Sequence, residues 1–458
     1  MSASTRDRLT LLVVVSLPLL VWWVGLYPGT FTNDSLSVIR QIRTDSWNNG
    51  HTNAYLSFVW LFSLGGYAWG LVALAQVTLL ALSISSLGAA IIKSGVPKLL
   101  VVAASGIFAL LPQVGAFAVT MWKDVPSSAG ALMLAAALLE WRLTSTPKTS
   151  TLWLLAVGAL LLGSFRWNGP IALVLLSAIL IVLQRRSSLN IVVVILGVAV
   201  ASTGTLLLPQ QIGLTKSHDL FLIDYRQLHD IAYVFHEQPS SISEPDKDTL
   251  SSLMPFERWS QGGSTCETVD VLLFDQISQF SPRAIENLGN QRTELRAMWR
   301  RVVRDEPLLV TWARLCRAGG VWSPIFFGNQ PTLGLVYLHS NDSELGRPGY
   351  FPHLEKELIR AVKMTSSSET SKTITLNAML WTLVAMSLAL AVKSRQLARR
   401  FLLCLPISVS VMMSVMLGAV AHDARYVAGP LLIAQYFVGL VLLDWIWHRV
   451  AVSRRLRA

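Results

Sequence analysis

The sequence predicts an all-α polytopic membrane protein of about ten transmembrane helices, with interfacial helices on its outer side and one large extracytoplasmic insertion. Three observations predict it. The first is composition: of 458 residues, 52% are hydrophobic and only 14% charged, with a mean hydropathy of +0.50. A soluble chain carries about 25% charged residues. The second is a succession of apolar runs, most of them near the length that crosses roughly 30 Å of hydrocarbon. The third is that the short polar joints between runs alternate between two kinds. One kind is basic: Lys93/Lys98, Arg142/Lys148, Arg185/Arg186, Lys393/Arg395/Arg399/Arg400 and the tail Arg449/Arg454/Arg455/Arg457. The other mixes acid, base and amide groups: Asn33-Asp34, Lys123-Asp124, Arg166/Asn168 and His422-Asp423/Arg425.

Spans are expected at 9–26, 67–92, 99–119, 125–141, 151–165, 168–184, 189–208, 374–392, 401–420 and 427–447. The first run is long, and Tyr27-Pro28-Gly29 after it lacks a small-x-small cleavage pattern, so a retained helix is expected rather than a removed signal. Basic short joints mark the cytoplasm. Ten spans then return both termini to the cytoplasm and gather every mixed joint on the outer face. The same rule accounts for the net charge of +11 without invoking nucleic acid. The basic tail suits anionic lipid headgroups.

Two outer regions are more than loops. Region 27–66 holds a charged amphipathic stretch, Ser35–Arg43, a polar run, Asp45–Asn53, and an apolar piece, Ala54–Leu64. That piece is too short to span and is closed by Gly65-Gly66, as an interfacial or re-entrant helix would be. Region 209–373 is nearly charge-balanced. It holds an Arg- and Glu-rich helical stretch at 283–304, apolar aromatic pieces at Leu308–Leu315 and Val321–Phe327, and a loop at 328–350. The chain therefore divides into an N-terminal transmembrane module, 1–208, an extracytoplasmic insertion, 209–373, and C-terminal helices with a basic tail, 374–458. Cys266 and Cys316 both fall in the insertion, where a disulfide is chemically possible, and Cys404 falls in a span.

The mixed joints carry the candidate chemistry. Asp34 follows the first helix at a fixed distance, near the membrane surface. It can act as a general base on a hydroxyl, or Asn33 or Asp34 can simply cap a helix starting at Ser35. Lys123 and Asp124 can pair with each other, or Lys123 can meet a lipid phosphate while Asp124 orients a partner. Arg166 can snorkel or contact phosphate, with Asn168 on a sugar. His422 and Asp423 offer two metal-type ligands without a third at a known spacing, so a divalent metal has weak support and no cofactor is certain. Arg425 beside Tyr426 suits a phosphate headgroup. Helix capping alone would not favour one face, and these groups all fall on one face.

The chain resembles the GT-C superfamily of polytopic glycosyltransferases, and more narrowly an uncharacterised bacterial GT-C-like family. The shared pieces are Tyr27-Pro28-Gly29 with Asp34, Trp122-Lys123-Asp124, Arg166 with Asn168-Gly169, Asp305-Glu306-Pro307 followed by Trp322-Ser323-Pro324, and Arg425-Tyr426, in the family's order. The family often has His-Pro in the first loop, where this chain has His51-Thr52. Asn33-Asp34 replaces the Asp-Glu pair of protein mannosyltransferases, which leaves metal dependence and donor class open. The resemblance implies a GT-C-like fold in a bacterial cytoplasmic membrane. It implies inverting transfer of a sugar from a polyprenyl-phosphate donor to a cell-envelope glycan, lipid or protein acceptor on the outer face. Asp34 would be the catalytic base, and Asp124, also catalytic, would hold Lys123 or the acceptor. Lys123, Arg166 and Arg425 would hold the donor phosphate. Asn33, His51, Asn168, His422, Asp423 and Tyr426 would line the substrate.

Three rival readings predict different dependences. A flippase for a lipid-linked glycan needs polar groups at mid-membrane in broken helices, and the spans carry few. A polysaccharide polymerase or ligase leans on Arg and His, not on an Asp after the first helix. A scaffold needs only the insertion as a binding surface.

Overall fold

The structure is a computed structural model, and it describes residues 3–143, 148–184, 189–215, 222–266, 269, 272, 291–324, 350–365, 367–391, 395–418 and 424–455. Among these residues it is all-α and has no β-strand; an isolated parallel bridge joins Thr30 and Thr120. The N-terminal part comprises α1 (Ala3–Gly25), α2 (Asn33–Arg43), α3 (Asn53–Phe62), α4 (Trp69–Lys93), α5 (Lys98–Leu110), α6 (Pro112–Val119), α7 (Asp124–Leu143), α8 (Thr149–Ser164), α9 (Gly169–Gln184) and α10 (Leu189–Gln211). Helices lie at each of the ten stretches where spans are expected.

Five helical stretches are long and apolar enough to cross a membrane on their own: Thr5–Gly25, Trp69–Lys93, Leu189–Gln211, Arg400–Gly418 and Arg425–Arg449. The expected single span at 99–119 is two helices, α5 and α6, bent by 66°. Pro112 causes the break. It disfavours helical geometry at Leu111, which is extended (ψ 128°), and then opens the new helix as its first residue. The helices α8 and α9 are short, and α7 carries Asp124, Glu140 and Arg142. The expected span at 374–392 is also broken, because Asn377 separates two helices there.

The helix α7 is the centre of the body. Every residue from Asp124 to Trp141 is buried, and it packs against α4 and α8. Gly130 and Gly158 let α7 and α8 touch backbone to backbone; a Cβ on Gly130 would lie 2.6 Å from the Gly158 carbonyl oxygen. Small residues facing each other are how helices approach closely where no water drives packing.

The α7–α8 hairpin joins two polar ends. At one end, buried Glu140 accepts hydrogen bonds from Arg8 (2.8 Å), Lys93 (2.6 Å) and Thr151 (3.0 Å), while Lys98 pairs with Asp7 at 2.7 Å. At the other end, Asp124 pairs with Arg166. The helices α9 and α10 repeat the pattern. Asn168 stands where α9 begins, and Gln210 near the end of α10 accepts from Asn49 of the first loop at 3.3 Å.

The insertion packs α11 (Leu222–Glu237), α12 (Glu244–Leu253) and α13 (Phe256–Gly263) with α14 (Arg292–Asp305), α15 (Pro307–Arg317) and the short α16 (Gly319–Trp322). Its apolar core includes Ile231, Val234, Trp259 and Met298. Cys266 and Cys316 are disulfide-bonded. Beside that bridge, fully buried Arg317 donates to Asp230 and to His229. Asp230 also accepts from Arg314 (2.9 Å) and Trp299 (3.0 Å). Of the expected helix at 283–304, residues 291–304 are helical or helix-flanking and the earlier ones lie outside the described residues. So do the expected loop at 328–349 and residues 325–327 of the apolar stretch.

After the insertion come α17 (Pro352–Thr365), α18 (Glu369–Leu376), α19 (Ala378–Ala391), α20 (Arg395–Gly418) and α21 (Ala428–Arg455). The helix α17 packs on α1 and α6. Arg400, near the start of α20, donates to the Ser94 carbonyl, and Arg226 of the insertion donates to the Leu417 carbonyl near its end at 2.7 Å.

Candidate functional site

The site is assembled where the loop after α1 meets the α6–α7 joint. Gly29 makes the meeting possible. Its φ of +129° is one that side-chain-bearing residues rarely adopt, and a Cβ there would lie 2.9 Å from the Val119 carbonyl oxygen. The two strands then pair: Thr30 N–H donates to Val119 (3.1 Å) and Met121 N–H donates to Thr30 (3.0 Å). Gln76 of α4 supports the joint by donating to the Thr120 carbonyl at 2.6 Å. Ser35 Oγ donates to the Met121 carbonyl at 2.8 Å, and Trp122 Nε1 donates to Thr32 Oγ1 at 2.8 Å. The first turn of α2 is thereby stapled to Trp122-Lys123-Asp124.

The structure gives the capping role to Thr32, whose N–H donates to Ser35 Oγ at 3.0 Å, and not to Asn33 or Asp34. Asp34 is therefore available for something else. Its Oδ2 accepts from Arg425 Nη1 at 2.7 Å, and its side chain remains 41% exposed. Burial works against the Asp34 carboxylate, but the electrostatic pull of Arg425, Lys123 and His51 outweighs it and holds the group well below the usual carboxylate range. Arg425 comes from the 3-10 turn ahead of α21. Its guanidinium lies over the rings of Trp122 (5.3 Å) and Tyr426 (5.4 Å).

Of the alternatives open to Lys123 and Asp124, pairing with each other does not occur. Asp124 opens α7 and turns inward, 1% exposed, where Arg166 meets it. Arg166 stacks on Tyr426 at 4.6 Å and donates to Asn168 Oδ1 at 3.1 Å, and Asn168 donates in turn to Ser414 at 2.9 Å. A small cavity of about 10 Å³ lies here, lined by Asp124, Ser127, Arg166, Asn168, Ser414 and Tyr426 among others. That is room for about one water.

Lys123 is left without a hydrogen-bond or ion-pair partner among the described residues. Burial of its ammonium is the largest cause that brings its pKa down to about 8; Arg166 and Arg425 add to it and Asp34 opposes it. Three cations thus face two carboxylates in one patch among the described residues. Such a patch favours an anion.

Of the remaining expected residues, His51 is buried and lies within electrostatic reach of Asp34, while Asn33 is exposed on the first turn of α2. His422 and Asp423 lie outside the described residues. Among the described residues no group of three or more His, Cys, Asp or Glu side chains is placed to hold a metal ion.

One residue of the site has no counterpart in the sequence reading. Tyr55 of α3 is only 2% exposed, and its hydroxyl has no hydrogen-bond partner among the described residues. Leaving such a group buried costs about 1–3 kcal/mol. Burial is the main cause that pushes its pKa well above the ordinary value; Asp34 adds to the rise and Arg425 opposes it. In the sequence it is one aromatic in an apolar run. Only a helical wheel anchored on Thr52, which caps α3, would have turned it inward.

The architecture and the charged site at one polar end define an all-α protein of polytopic membrane type. Residues 44–264 match a family of unknown function (DUF6020). That stretch contains His51, Tyr55, Lys123, Asp124, Arg166 and Asn168, but neither Asp34 nor Arg425. No curated protein matches the chain, and no solved structure matches it.

Proposed function

We propose that the protein is a GT-C-like glycosyltransferase with ten membrane crossings and both termini cytoplasmic, which moves a sugar from a polyprenyl-phosphate donor to an acceptor hydroxyl on the outer face. The observation that carries this reading is Lys123: a half-buried ammonium with no carboxylate partner among the described residues, beside Arg425 and Asp34. A cation held in that way is matched by an anion brought from outside, and a carboxylate next to it is the partner an acceptor hydroxyl needs.

In this reading Asp34 takes the proton of the acceptor hydroxyl as its oxygen attacks the anomeric carbon. The bond from that carbon to the phosphate oxygen breaks, and its electron pair leaves with the phosphate. Lys123 and Arg425 neutralise the charge that develops there. Asp124 acts indirectly, by fixing Arg166 against Tyr426 and Asn168. The cavity of about 10 Å³ is too small for a sugar, so donor binding must open the site, and the exposed face of Asp34 is where it would enter.

The test is sugar transfer by the full chain in nanodiscs, with a panel of polyprenyl-phosphate sugars. Asp34→Asn is expected to bind donor and to lose about 10²–10⁴-fold in turnover, the usual worth of a general base. Arg425→Ala is expected to lose donor binding. Full turnover by Asp34→Asn would remove Asp34 as the base; turnover that survives without Asp34 but not without Arg425 would point to a polymerase or ligase.

A further inference from the structure

The carboxylate that the proposed reaction needs as a base is held, at rest, by the guanidinium that the same reaction needs for phosphate. The Asp34–Arg425 contact is 2.7 Å, a direct charge-assisted hydrogen bond. A guanidinium has five N–H donors, but a phosphate that takes the Nη1 end competes directly with Asp34 for the N–H and the charge it now holds. Among the described residues, the charged or titratable groups facing Asp34 are Arg425 from the turn before α21, Lys123 from the α6–α7 joint, and His51 from the joint before α3. Tyr55 of α3 is the buried neutral donor among them. It sits with Phe31, Val38, Met121 and Phe165 in the cluster around the first turns of α2, and its charged neighbours are Asp34 and Arg425.

We propose that Arg425 is shared between Asp34 and the phosphate of a ligand, and that Tyr55 is the positioning residue that takes hold of the Asp34 carboxylate when phosphate draws Arg425 away. The inference deepens the transferase reading, because it orders the two substrates. Phosphate arrives first and loosens the ion pair, and only then is Asp34 basic enough to serve an acceptor. It also accounts for a buried hydroxyl that has no partner at rest: the partner arrives when Arg425 leaves. Until then Asp34 stays ionised but weakly basic.

The experiment is a double-mutant cycle on phosphate binding. The full chain in nanodiscs is titrated with a sugar-free polyprenyl monophosphate, as wild type, Asp34→Ala, Tyr55→Phe and the double variant. Asp34→Ala is expected to bind about tenfold tighter, since the competitor for Arg425 is gone. Tyr55→Phe is expected to bind several-fold weaker (about three- to tenfold) with an unchanged or raised melting temperature. The double variant is expected to match Asp34→Ala, because Tyr55 acts only through the carboxylate. Weaker binding by Asp34→Ala overturns the proposal, and so does an equal Tyr55→Phe effect in both backgrounds. Coupled phosphate binding with no sugar transfer overturns the transferase reading and leaves this inference standing. Sugar transfer with no coupling does the reverse. No phosphate binding by folded wild type overturns both.

Discussion

Lys123 and Asp124 are adjacent in sequence and part company at the start of α7. Asp124 turns into the helix bundle toward Arg166, and Lys123 stays at the surface of the site beside Asp34. The sequence showed that both lay at a helix boundary but not which way either turned, because that depends on Arg166 arriving from another joint. The same holds for Asp34. Its place after a Pro-Gly turn was legible, whereas its freedom from capping depends on Thr32 and Ser35 taking that role. The lack of an ion-paired carboxylate on Lys123 among the described residues has a measurable consequence. Its folded pKa is about 8, so above that pH the resting site has lost the proton that attracts an anion. Binding of polyprenyl phosphate is expected to be flat from about pH 7, above the second phosphate ionisation near 6, to pH 8, and to weaken by up to tenfold per unit above it. Lys123→Arg, which cannot lose its charge in this range, is expected to bind equally from pH 7 to pH 9.5. A wild-type affinity that does not change across that interval would show that Lys123 takes no part.

Among the elements, the apolar helices were legible and their interruptions less so. A run of apolar residues identifies a helix, but Leu111-Pro112 bends one and Asn377 divides another, and neither residue stands out in a hydropathy profile. The insertion was legible only as a balanced mixture of charge and aromatics. Its organisation rests on pairings across about 90 residues, such as Asp230 with Arg317, which no local pattern announces. His229 belongs to that network. Nε2 faces the Thr265 carbonyl at 2.9 Å and Nδ1 faces Arg317, so the ring is the neutral tautomer with its proton on Nε2. Burial, then Arg317, brings its pKa down to about 3, against the weaker pull of Asp230. The sign of the stability effect follows. Between about 6.5 and 3 the unfolded chain holds a proton that the folded chain refuses, so stability falls as the pH drops through that window, by at most about 1.4 kcal/mol per unit. Protease resistance of the insertion is therefore expected to fall from pH 7 to pH 5. His229→Gln offers the same donor and acceptor without the titration and should lessen that fall; an identical fall in the variant would place its cause elsewhere.

For the whole molecule the question is how many helices cross, and length and hydropathy alone give an answer that the contacts oppose. If only the five long apolar stretches crossed, the chain after α4 would stay on one side as far as α10. Lys123 would then lie across the membrane from Asp34, roughly 30 Å away. Yet Thr30 and Thr120 are paired backbone to backbone, and Trp122 is bonded to Thr32. The bent α5–α6 pair must therefore return the chain to the side of Asp34. The helix α7 then leaves from Asp124 and reaches Glu140 beside Arg8 and Lys93, about 16 residues or roughly 24 Å later. The helix α8 runs back from Thr151, bonded to Glu140, to Arg166, which meets Asp124. Helices walled in by neighbours meet little lipid and need not be uniformly apolar, so the proposed crossings can outnumber those that hydropathy finds. The proposed ten crossings with both termini inside rest on this alternation and on the positive-inside rule, and single cysteines test them. In a background lacking Cys404, Asn33→Cys and Asp248→Cys should react with a membrane-impermeant maleimide in intact cells. Lys98→Cys and Lys148→Cys should react only after permeabilisation. Labelling of Lys148→Cys in intact cells would collapse the α7–α8 hairpin onto one side of the membrane and remove the outer-face site with it.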